Sequence, residues 1–376
     1  MRINLLTAVS AVCCLLQACS GGDSVSAPDF SGMSLREKAS RLFIVRPESL
    51  VPGFTWETND DLIAYGLTEV TDSMRAVAEE YPVGGVIIFA HNIVDDPQLR
   101  RFEKDIHGLS GNPLLCIDEE GGRVARLANN DAFGLPRYES MTALAKEGPR
   151  AVKKAARSIG RYLHRYGFDV DFAPVADVNT NPENIIIGPR AFSDDPETAG
   201  KMVQIYLKAL QKQGVSGCLK HFPGHGDTKA DTHLGYAVSH KTREQLLSCE
   251  MIPFKAGIKA GARMIMSAHV SLPAVTGTEV PSTLCPEVLQ GILRGDLGYD
   301  GVIVTDALEM GAITNAYPVN EACILALEAG ADVLLCVRDY RSAVDAIVAA
   351  VESGRLSESR LDESLARIYR LRVHEN

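Results

Sequence analysis

Short apolar runs recur along the chain, and stretches with a more helical pattern separate them. Eight of these runs are rich in β-branched residues and apolar almost throughout, without regular alternation of apolar and polar positions. Such runs are typical of parallel strands that are covered on both faces. The predicted strands lie at 41–45, 85–90, 114–118, 170–178, 217–221, 264–269, 301–306 and 332–337.

The stretches between the predicted strands carry helix signals. Two of them, 149–166 and 196–213, begin with proline and end before glycine, which is the expected asymmetry of helix starts and stops. Strands that alternate with helices over about 330 residues predict a single α/β domain, a (β/α)8 TIM-type barrel, with a doubly wound open sheet as the second choice. The predicted helices lie at 72–81, 149–166, 196–213, 242–259, 286–293, 320–328, 341–352 and 357–373.

The first 19 residues predict an export signal. A mainly apolar run at 3–16 follows Met1-Arg2 and is too short to span a bilayer of about 30 Å. The small residue before Cys19 is similar to the lipobox of bacterial lipoproteins, so we expect Cys19 to be lipidated and the protein to be exported and lipid-anchored to a bacterial membrane. A signal cleaved without lipidation and an uncleaved anchor are the alternatives. Residues 20–33 then form a flexible tether, and 34–376 form the folded domain.

Charge and cysteine content narrow the possible partners. The net charge is −10 and the pI is about 5.5, and no basic stripe is evident, so we expect no nucleic-acid partner. Six cysteines lie outside the signal and none forms a C-x-x-C pair, which favours buried apolar residues over a metal site or a disulfide framework.

Polar residues gather where the predicted strands end, and barrels build their sites at that face. Arg126 and Arg190 lie in the loops that follow and are interpreted as ligand contacts. Alternatives remain for others: Asp118 as a helix cap, His269 as a partner for buried backbone groups. The residues at the strand ends are Asp118, Asp177, Lys220, His221, His269 and Asp306.

Further residues have structural interpretations. Arg123 is as well explained by structural pairing as by ligand binding, and Asp177 by satisfying buried backbone groups. His91 is interpreted as a structural residue of a polar turn, and His225 as a loop-shaping residue. Asp306 is different, because a carboxylate at the end of V-I-V-T-D would be costly to bury without a partner. It is a candidate nucleophile or a stabiliser of positive charge.

The stretch 220–233, K-H-F-P-G-H-G-D-T-K-A-D-T-H, is the richest in chemistry. Its proline and glycines forbid a regular helix, so it is predicted to be a polar loop after a buried strand. A metal-dependent hydrolase is one alternative, because this stretch has the residue types of a zinc site. The possible ligands are His221, His225, Asp227 and His233.

Four motifs in the chain resemble the β-N-acetylglucosaminidases of glycoside hydrolase family 3. They are I-D-E-E-G-G-R-V at 117–124, G-P-R-A-F at 188–192, the stretch 220–233, and L-G-Y-D-G-V-I-V-T-D-A-L-E-M at 297–310. The resemblance covers nearly all of the chain from about residue 34. Glu119 departs from it, since glutamine or histidine is common at that position.

The resemblance implies roles for particular residues. Asp306 matches the catalytic nucleophile and His233 the general acid/base, with Asp231 as its orienting partner. The implied enzyme is a single-domain, retaining hydrolase of terminal β-linked N-acetylglucosamine, with peptidoglycan fragments as its expected substrates; we expect no cofactor and a monomer. The residues that match sugar-binding positions are Asp118, Arg126, Arg190, Lys220 and His221.

Two further functions stay open beside this one. Neutral imidazole has no negative charge to repel phosphate, so a phosphorylase with the same residues is an alternative. A sugar-binding lipoprotein without activity would keep Asp118 and Lys220, but it would not need Asp306 together with the pair Asp231 and His233.

Overall fold

Eight strands form the centre of the molecule. They are β1 Phe43–Val45, β2 Gly85–Ile87, β3 Leu114–Ile117, β4 Val170–Asp171, β5 Ser216–Phe222, β6 Met264–Ser267, β7 Val302–Thr305 and β8 Leu334–Leu335. The computed structural model describes residues 29–54, 66–228 and 237–373.

These strands form one parallel sheet in the order β7-β6-β5-β4-β3-β2-β1-β8. A parallel bridge between Val304 and Val333 joins the two ends of that order, so the sheet closes on itself. The predicted (β/α)8 barrel is confirmed, and the open doubly wound sheet is wrong.

Helices cover the outside of the barrel. A wider helix, Glu287–Asp296, precedes β7, and at its end the N–H of Leu297 donates to the Ile292 carbonyl at 3.0 Å. The other helices are α1 Leu35–Ser40, α2 Asp72–Glu80, α3 Asp96–His107, α4 Met141–Glu147, α5 Pro149–Arg165, α6 Pro196–Gln211, α7 Arg243–Ser248, α8 Met251–Lys259, α9 Pro273–Thr276, α10 Gly311–Thr314, α11 Val319–Ala329, α12 Tyr340–Glu352 and α13 Glu358–Val373.

Some elements differ from the prediction. The helix predicted at 242–259 is two helices, because Cys249 has φ −137° and ψ −83° and leaves the helical region. The strand predicted at 170–178 ends after Asp171, and Pro174 cannot donate a hydrogen bond to a ladder. Helix α3 was not predicted, since a polar sequence surrounds its few buried apolar residues.

The apolar interior follows the prediction more closely. All six described cysteines are free thiols, and five of them are buried, which confirms their interpretation as apolar core residues. Within the described ranges, no helix combines the length and the apolarity needed to cross a membrane. Cys19 and the tether up to residue 28 lie outside the described residues.

The expectation that the chain has no basic stripe is wrong. Helix α5 has six lysine or arginine residues and no acidic residue, and its basic side chains lie on the exposed side. The overall charge of −10 conceals this stripe, because acidic residues elsewhere outnumber it.

Candidate active site

A cavity of about 650 Å³ opens at the carboxyl ends of the barrel strands. All eight strands contribute a lining residue at or close to their last residues, including Phe172 after β4 and Met266 in β6. This is the end of the barrel at which the sequence placed the polar residues. The polar lining residues are Arg46, His91, Asp118, Glu120, Arg126, Arg190, Lys220, His221, His225, Asp306 and Glu309.

A cluster of ion pairs forms one wall of this cavity. Lys220 Nζ lies 2.7 Å from Asp118 Oδ1 and 2.7 Å from Glu120 Oε1. Arg190 donates to both oxygens of Glu120, from Nε at 2.8 Å and from Nη2 at 2.7 Å. Arg126 Nη2 donates to Asp118 Oδ2 at 3.3 Å. The structure therefore brings four of the predicted sugar-binding residues together and adds Glu120 to them.

The four central groups of this cluster hold one another in the charged state. Burial opposes ionisation of Asp118 and Glu120, but the neighbouring cations outweigh it and hold the pKa of each carboxyl below its usual value. Burial likewise opposes protonation of Lys220, yet the charges of Asp118 and Glu120 raise its pKa to about 12. Arg190 also has a raised pKa, because Glu120 outweighs its burial. The wall thus presents fixed charges away from bulk water.

Side-chain alternation explains why Glu120 belongs to the cluster and Glu119 does not. Residues 119–121 form a short strand, so Asp118 and Glu120 point to one side and Glu119 to the other. Glu119 is buried behind the wall, where it accepts hydrogen bonds from the backbone amides of residues 126–128 and from the Tyr162 hydroxyl at 2.8 Å. The alternation after Asp118 was the sequence signal for Glu120, and it was missed.

The two glycines after Glu120 return the chain toward the cavity. Gly121 and Gly122 have φ of +93° and +61°, which is the region that favours glycine. A Cβ on Gly121 would also lie 2.5 Å from Met141 Cε. The turn pairs 119–121 with the strand Val124–Ala125, and this places Arg126 beside Asp118.

A buried carboxylate orients His221. Asp177 Oδ2 lies 2.7 Å from His221 Nδ1, and Asp177 Oδ1 accepts the backbone N–H of His225 at 2.6 Å. On the other side of the ring, Arg190 Nη2 lies 3.4 Å from His221 Nε2. Burial opposes ionisation of Asp177, but His221 and His225 outweigh it and lower its pKa. Asp177 thus satisfies backbone groups, as one interpretation held, and also positions His221.

Asp306 directly follows β7 and reaches the same cavity, half-buried. Its backbone N–H donates to the Ser267 carbonyl at 2.8 Å, and its Oδ1 accepts the Ala307 N–H at 2.8 Å. Behind it, His269 is fully buried with Nε2 3.0 Å from the Ala307 carbonyl and Nδ1 3.0 Å from Thr283 Oγ1. His269 therefore supports the segment that contains Asp306, which agrees with its interpretation as a partner for buried backbone groups.

A second wall of the cavity was not predicted from the sequence. Arg46 donates from Nε to Glu309 Oε1 at 2.8 Å, and its guanidinium lies 4.1 Å from the centre of the Phe89 ring. The His91 ring stacks on Phe89 at 5.8 Å, and Arg126 lies 5.5 Å from the same ring. Burial, together with the charges of Arg46 and Arg126, lowers the pKa of His91 to about 4, so its imidazole is neutral at neutral pH. Arg46 directly follows β1. The reasoning that assigned Asp118 to the site, a polar residue at the end of a predicted strand, therefore applies to Arg46 as well.

Other predicted residues lie elsewhere or are not described. Asp231 and His233, the predicted acid/base pair, and Cys19 lie outside the described residues. Arg123 is exposed and donates to the backbone carbonyls of Ile185 at 2.8 Å and of Ile186, so it ties down the loop that precedes Arg190. This contact matches the structural interpretation of Arg123.

Three of the four possible metal ligands, His221, His225 and Asp227, are engaged in other contacts, and His233 lies outside the described residues. The rings of His221 and His225 lie 6.1 Å apart, and His225 Nδ1 lies 2.7 Å from Thr228 Oγ1. Asp227 accepts a hydrogen bond from Ser239 at 3.0 Å. Across 29–54, 66–228 and 237–373, no group of three or more His, Cys, Asp and Glu side chains is arranged to hold a metal ion.

Sequence comparison relates the chain to known enzymes. Residues 34–371 match the family described as the Glycosyl hydrolase family 3 N terminal domain. Beta-hexosaminidase A of Pseudoalteromonas piscicida is 33% identical over 334 residues, which cover 82% of this chain and 56% of that protein. A beta-hexosaminidase of Stenotrophomonas maltophilia strain K279a is 33% identical over 305 residues, which cover 80% of this chain and 89% of that protein.

Solved structures give the same relationship. A glycoside hydrolase family 3 beta-N-acetylglucosaminidase from Paenibacillus sp. str. FPU-7 superimposes with a TM-score of 0.81 at 34% identity, covering 91% of this chain and 63% of that one. LpqI of M tuberculosis superimposes with a TM-score of 0.77 at 28% identity, covering 92% and 97%. The chain thus spans less than two thirds of the P. piscicida and Paenibacillus proteins. The family match covers residues 34–371, and the Paenibacillus structure shares the barrel. The chain therefore belongs to glycosyl hydrolase family 3, and its barrel corresponds to the N-terminal domain of that family.

Proposed function

We propose that this protein is a retaining exo-β-N-acetylglucosaminidase that removes terminal β-linked N-acetylglucosamine through a covalent intermediate on Asp306. One observation carries the proposal. The Asp306 carboxylate lies in the same cavity as the buried cluster of Asp118, Lys220 and Arg190, and that cluster offers fixed donors and acceptors to a ligand rich in hydroxyl groups. The names of the P. piscicida, S. maltophilia and Paenibacillus relatives support the same activity.

The cluster is proposed to hold the terminal sugar. Asp118 accepts from hydroxyl groups while Lys220, Arg126 and Arg190 donate to them, with His221 beside Arg190 as a further polar contact. Because ion pairs already fix these side chains, they lose little rotational freedom when the sugar binds. Such fixed positions favour the geometry needed for attack on the anomeric carbon.

The reaction has two balanced steps. First, an Asp306 oxygen bonds to the anomeric carbon as the glycosidic C–O bond breaks, and the leaving oxygen takes a proton from the His233 imidazolium. Second, neutral His233 takes a proton from water, whose oxygen bonds to the anomeric carbon and displaces Asp306. A histidine suits both roles because its unperturbed pKa of about 6.5 lies near neutral pH, and Asp231 is proposed to orient it.

We further propose peptidoglycan fragments as substrates and a lipid anchor at Cys19 as the attachment to a bacterial membrane. The N-terminal pattern supports export, and an enzyme outside the cytoplasm meets peptidoglycan or chitin-like glycans first. Product analysis with an N-acetylglucosaminyl-anhydromuramic fragment and with chitobiose separates these substrates. Faster release from chitobiose would refute the peptidoglycan preference while leaving the activity intact.

The catalytic assignment is tested with the variant His233→Ala. We expect it to lose most activity on natural glycosides and much less on 4-nitrophenyl N-acetyl-β-glucosaminide, whose leaving group needs no proton. Slow hydrolysis of the intermediate should then allow mass spectrometry to detect one N-acetylhexosamine on the peptide that contains Asp306. The double variant with Asp306→Ala should show no adduct. Equal losses on both substrates would refute the acid/base role of His233.

Hydrolysis and phosphorolysis are distinguished by one further assay. In phosphate buffer a hydrolase releases free N-acetylglucosamine, because water accepts the glycosyl group. Release of the sugar 1-phosphate as the main product would refute hydrolysis while retaining Asp306 as the nucleophile.

A further inference from the structure

Helix α5 has a continuous basic face on the outside of the barrel. The exposed cations recur at intervals of three and four residues, which places them on one side of a helix, while Val152, Ile159 and Leu163 face the core. These exposed cations are Arg150, Lys153, Lys154, Arg157 and Arg161; Arg165, also exposed, donates to the Tyr166 hydroxyl at 3.0 Å and is not counted with them.

Helix α6 extends this face. It lies beside α5, and Gly160 allows the close approach, because a Cβ there would lie 2.9 Å from Gln213. Lys201, Lys208 and Lys212 are exposed at intervals that also share one side, and Glu197 is the only acidic residue within the two helices. We call the eight exposed cations of 150–161 and 201–212 the basic face.

The basic face differs from the other basic surfaces of the barrel. Several exposed arginines elsewhere have acidic partners, such as Arg355 with Glu321 and Arg370 with Asp300. Within the described residues, no cation of the basic face makes an ion pair. Like charges four residues apart, as at Lys153 and Arg157, destabilise a helix, and so does a cation in its first turn. A helix surface whose only role was to face water could balance these cations with acidic residues, so their excess favours a binding role.

We propose that the basic face binds an anionic lipid surface. Helix α5 has 17 residues and so is about 25 Å long, which gives a broad patch two helices wide. The tyrosines of these helices, Tyr162 and Tyr206, are buried, so the face offers no aromatic ring on which a nucleic-acid base could stack. Basic residues without aromatic partners suit acidic lipid headgroups. The N-terminal pattern, which predicts attachment to a membrane, points to the same partner.

Docking through this face has a consequence for the enzyme. Helices α5 and α6 flank the barrel wall, so the barrel would lie on its side with the cavity mouth opening along the membrane. Most of the charge of −10 would then face away from the anionic surface. The inference does not depend on the reaction proposed for Asp306.

The experiment measures lysine labelling in the full chain. The protein is reconstituted into vesicles of phosphatidylcholine alone or of phosphatidylcholine with phosphatidylglycerol, acetylated briefly with an N-hydroxysuccinimide ester, and analysed by mass spectrometry. We expect labelling of Lys153, Lys154, Lys201 and Lys208 to be about fivefold slower on the anionic vesicles, because several basic residues share the attraction. In 1 M NaCl, where the Debye length is about 3 Å, the difference should disappear.

Matched variants test whether the face itself is responsible. Replacing Lys154, Arg157 and Arg161 by glutamine should abolish the protection of Lys201 and Lys208. The control variant replaces Arg36, Arg75 and Arg370, which lie on other helices, by glutamine. It changes the net charge by the same amount, so the protection of Lys201 and Lys208 should remain. Activity on the nitrophenyl substrate verifies that both variants are folded.

Two results would overturn the proposal. One is equal labelling of the basic face on neutral and anionic vesicles. The other is protection by soluble polyphosphate without protection by vesicles, which would assign the face to a soluble polyanion. Lys104 on α3 and Lys259 on α8, the helices on either side, serve as internal references whose labelling should not change.

Discussion

Replacing Glu120 by glutamine removes one charge from the buried cluster and changes the shape of the side chain little. Glu120 is 1% exposed, accepts two hydrogen bonds from Arg190, and lies 2.7 Å from Lys220 Nζ. The side-chain amide of glutamine would direct an N–H toward Arg190 or Lys220, which can only donate. One of these two cations would therefore lose its acceptor at this position. Removing one partner of a buried pair typically costs about 3–5 kcal/mol. We expect the unfolding free energy to fall by about 3 kcal/mol, the lower end of this range, because Lys220 keeps its ion pair with Asp118.

Activity should fall together with stability if the cluster holds the sugar. Arg190 and Lys220 would no longer be fixed beside Asp118, and we expect kcat/KM for 4-nitrophenyl N-acetyl-β-glucosaminide to fall about 100-fold, equivalent to about 2.7 kcal/mol. The assay is carried out well below the melting temperature so that unfolding does not contribute. Glu139→Gln is the matched control, because Glu139 is exposed and its loss should change neither quantity.

The pH dependence gives an independent test of the same reasoning. The cations hold the pKa of Glu120 well below its usual value, whereas in the unfolded chain it is about 4.3. The stabilisation by an ionised Glu120 is therefore fully present above about pH 4.3 and lost as the pH falls toward the folded pKa. Urea denaturation should show the difference between wild type and Glu120→Gln shrinking below about pH 4. A constant difference at every pH, or kcat/KM within threefold of wild type, would refute the reasoning.

Three further predictions concern groups around the site. Burial raises the pKa of Asp171 well above the value of about 3.9 expected in the unfolded chain, so Asp171→Asn should gain stability over wild type by up to about 1.4 kcal/mol per pH unit as the pH rises above about 4 toward the folded-state pKa; parallel urea curves would contradict this. Tyr162→Phe removes one of the donors to the buried Glu119 and should lower the unfolding free energy by about 1–3 kcal/mol with little change in kcat, and a large loss of kcat would show that Glu119 acts on the substrate. Glu309→Gln removes the ion-pair acceptor that Arg46 contacts on Glu309, so thermal denaturation should show a loss of about 3 kcal/mol, and an unchanged melting temperature would contradict the importance of this pair.

The sequence alone determined the barrel and much of the site. Apolar runs, prolines and glycines act through local sterics and periodicity, so eight strands could be located before their partners were known. Polar residues at the strand ends indicated the cavity, because parallel strands in a barrel end at one face. Asp118, Lys220, His221 and Asp306 line that cavity as expected.

Pairing between distant residues was decided only by the tertiary structure. Lys220 meets Asp118 across 102 residues, and Arg46 meets Glu309 across 263. Which charges meet depends on strand order and side-chain direction, and local patterns do not encode these completely. The joint basic face of α5 and α6 has the same origin, since two separate runs of cations become one surface only when the helices pack side by side.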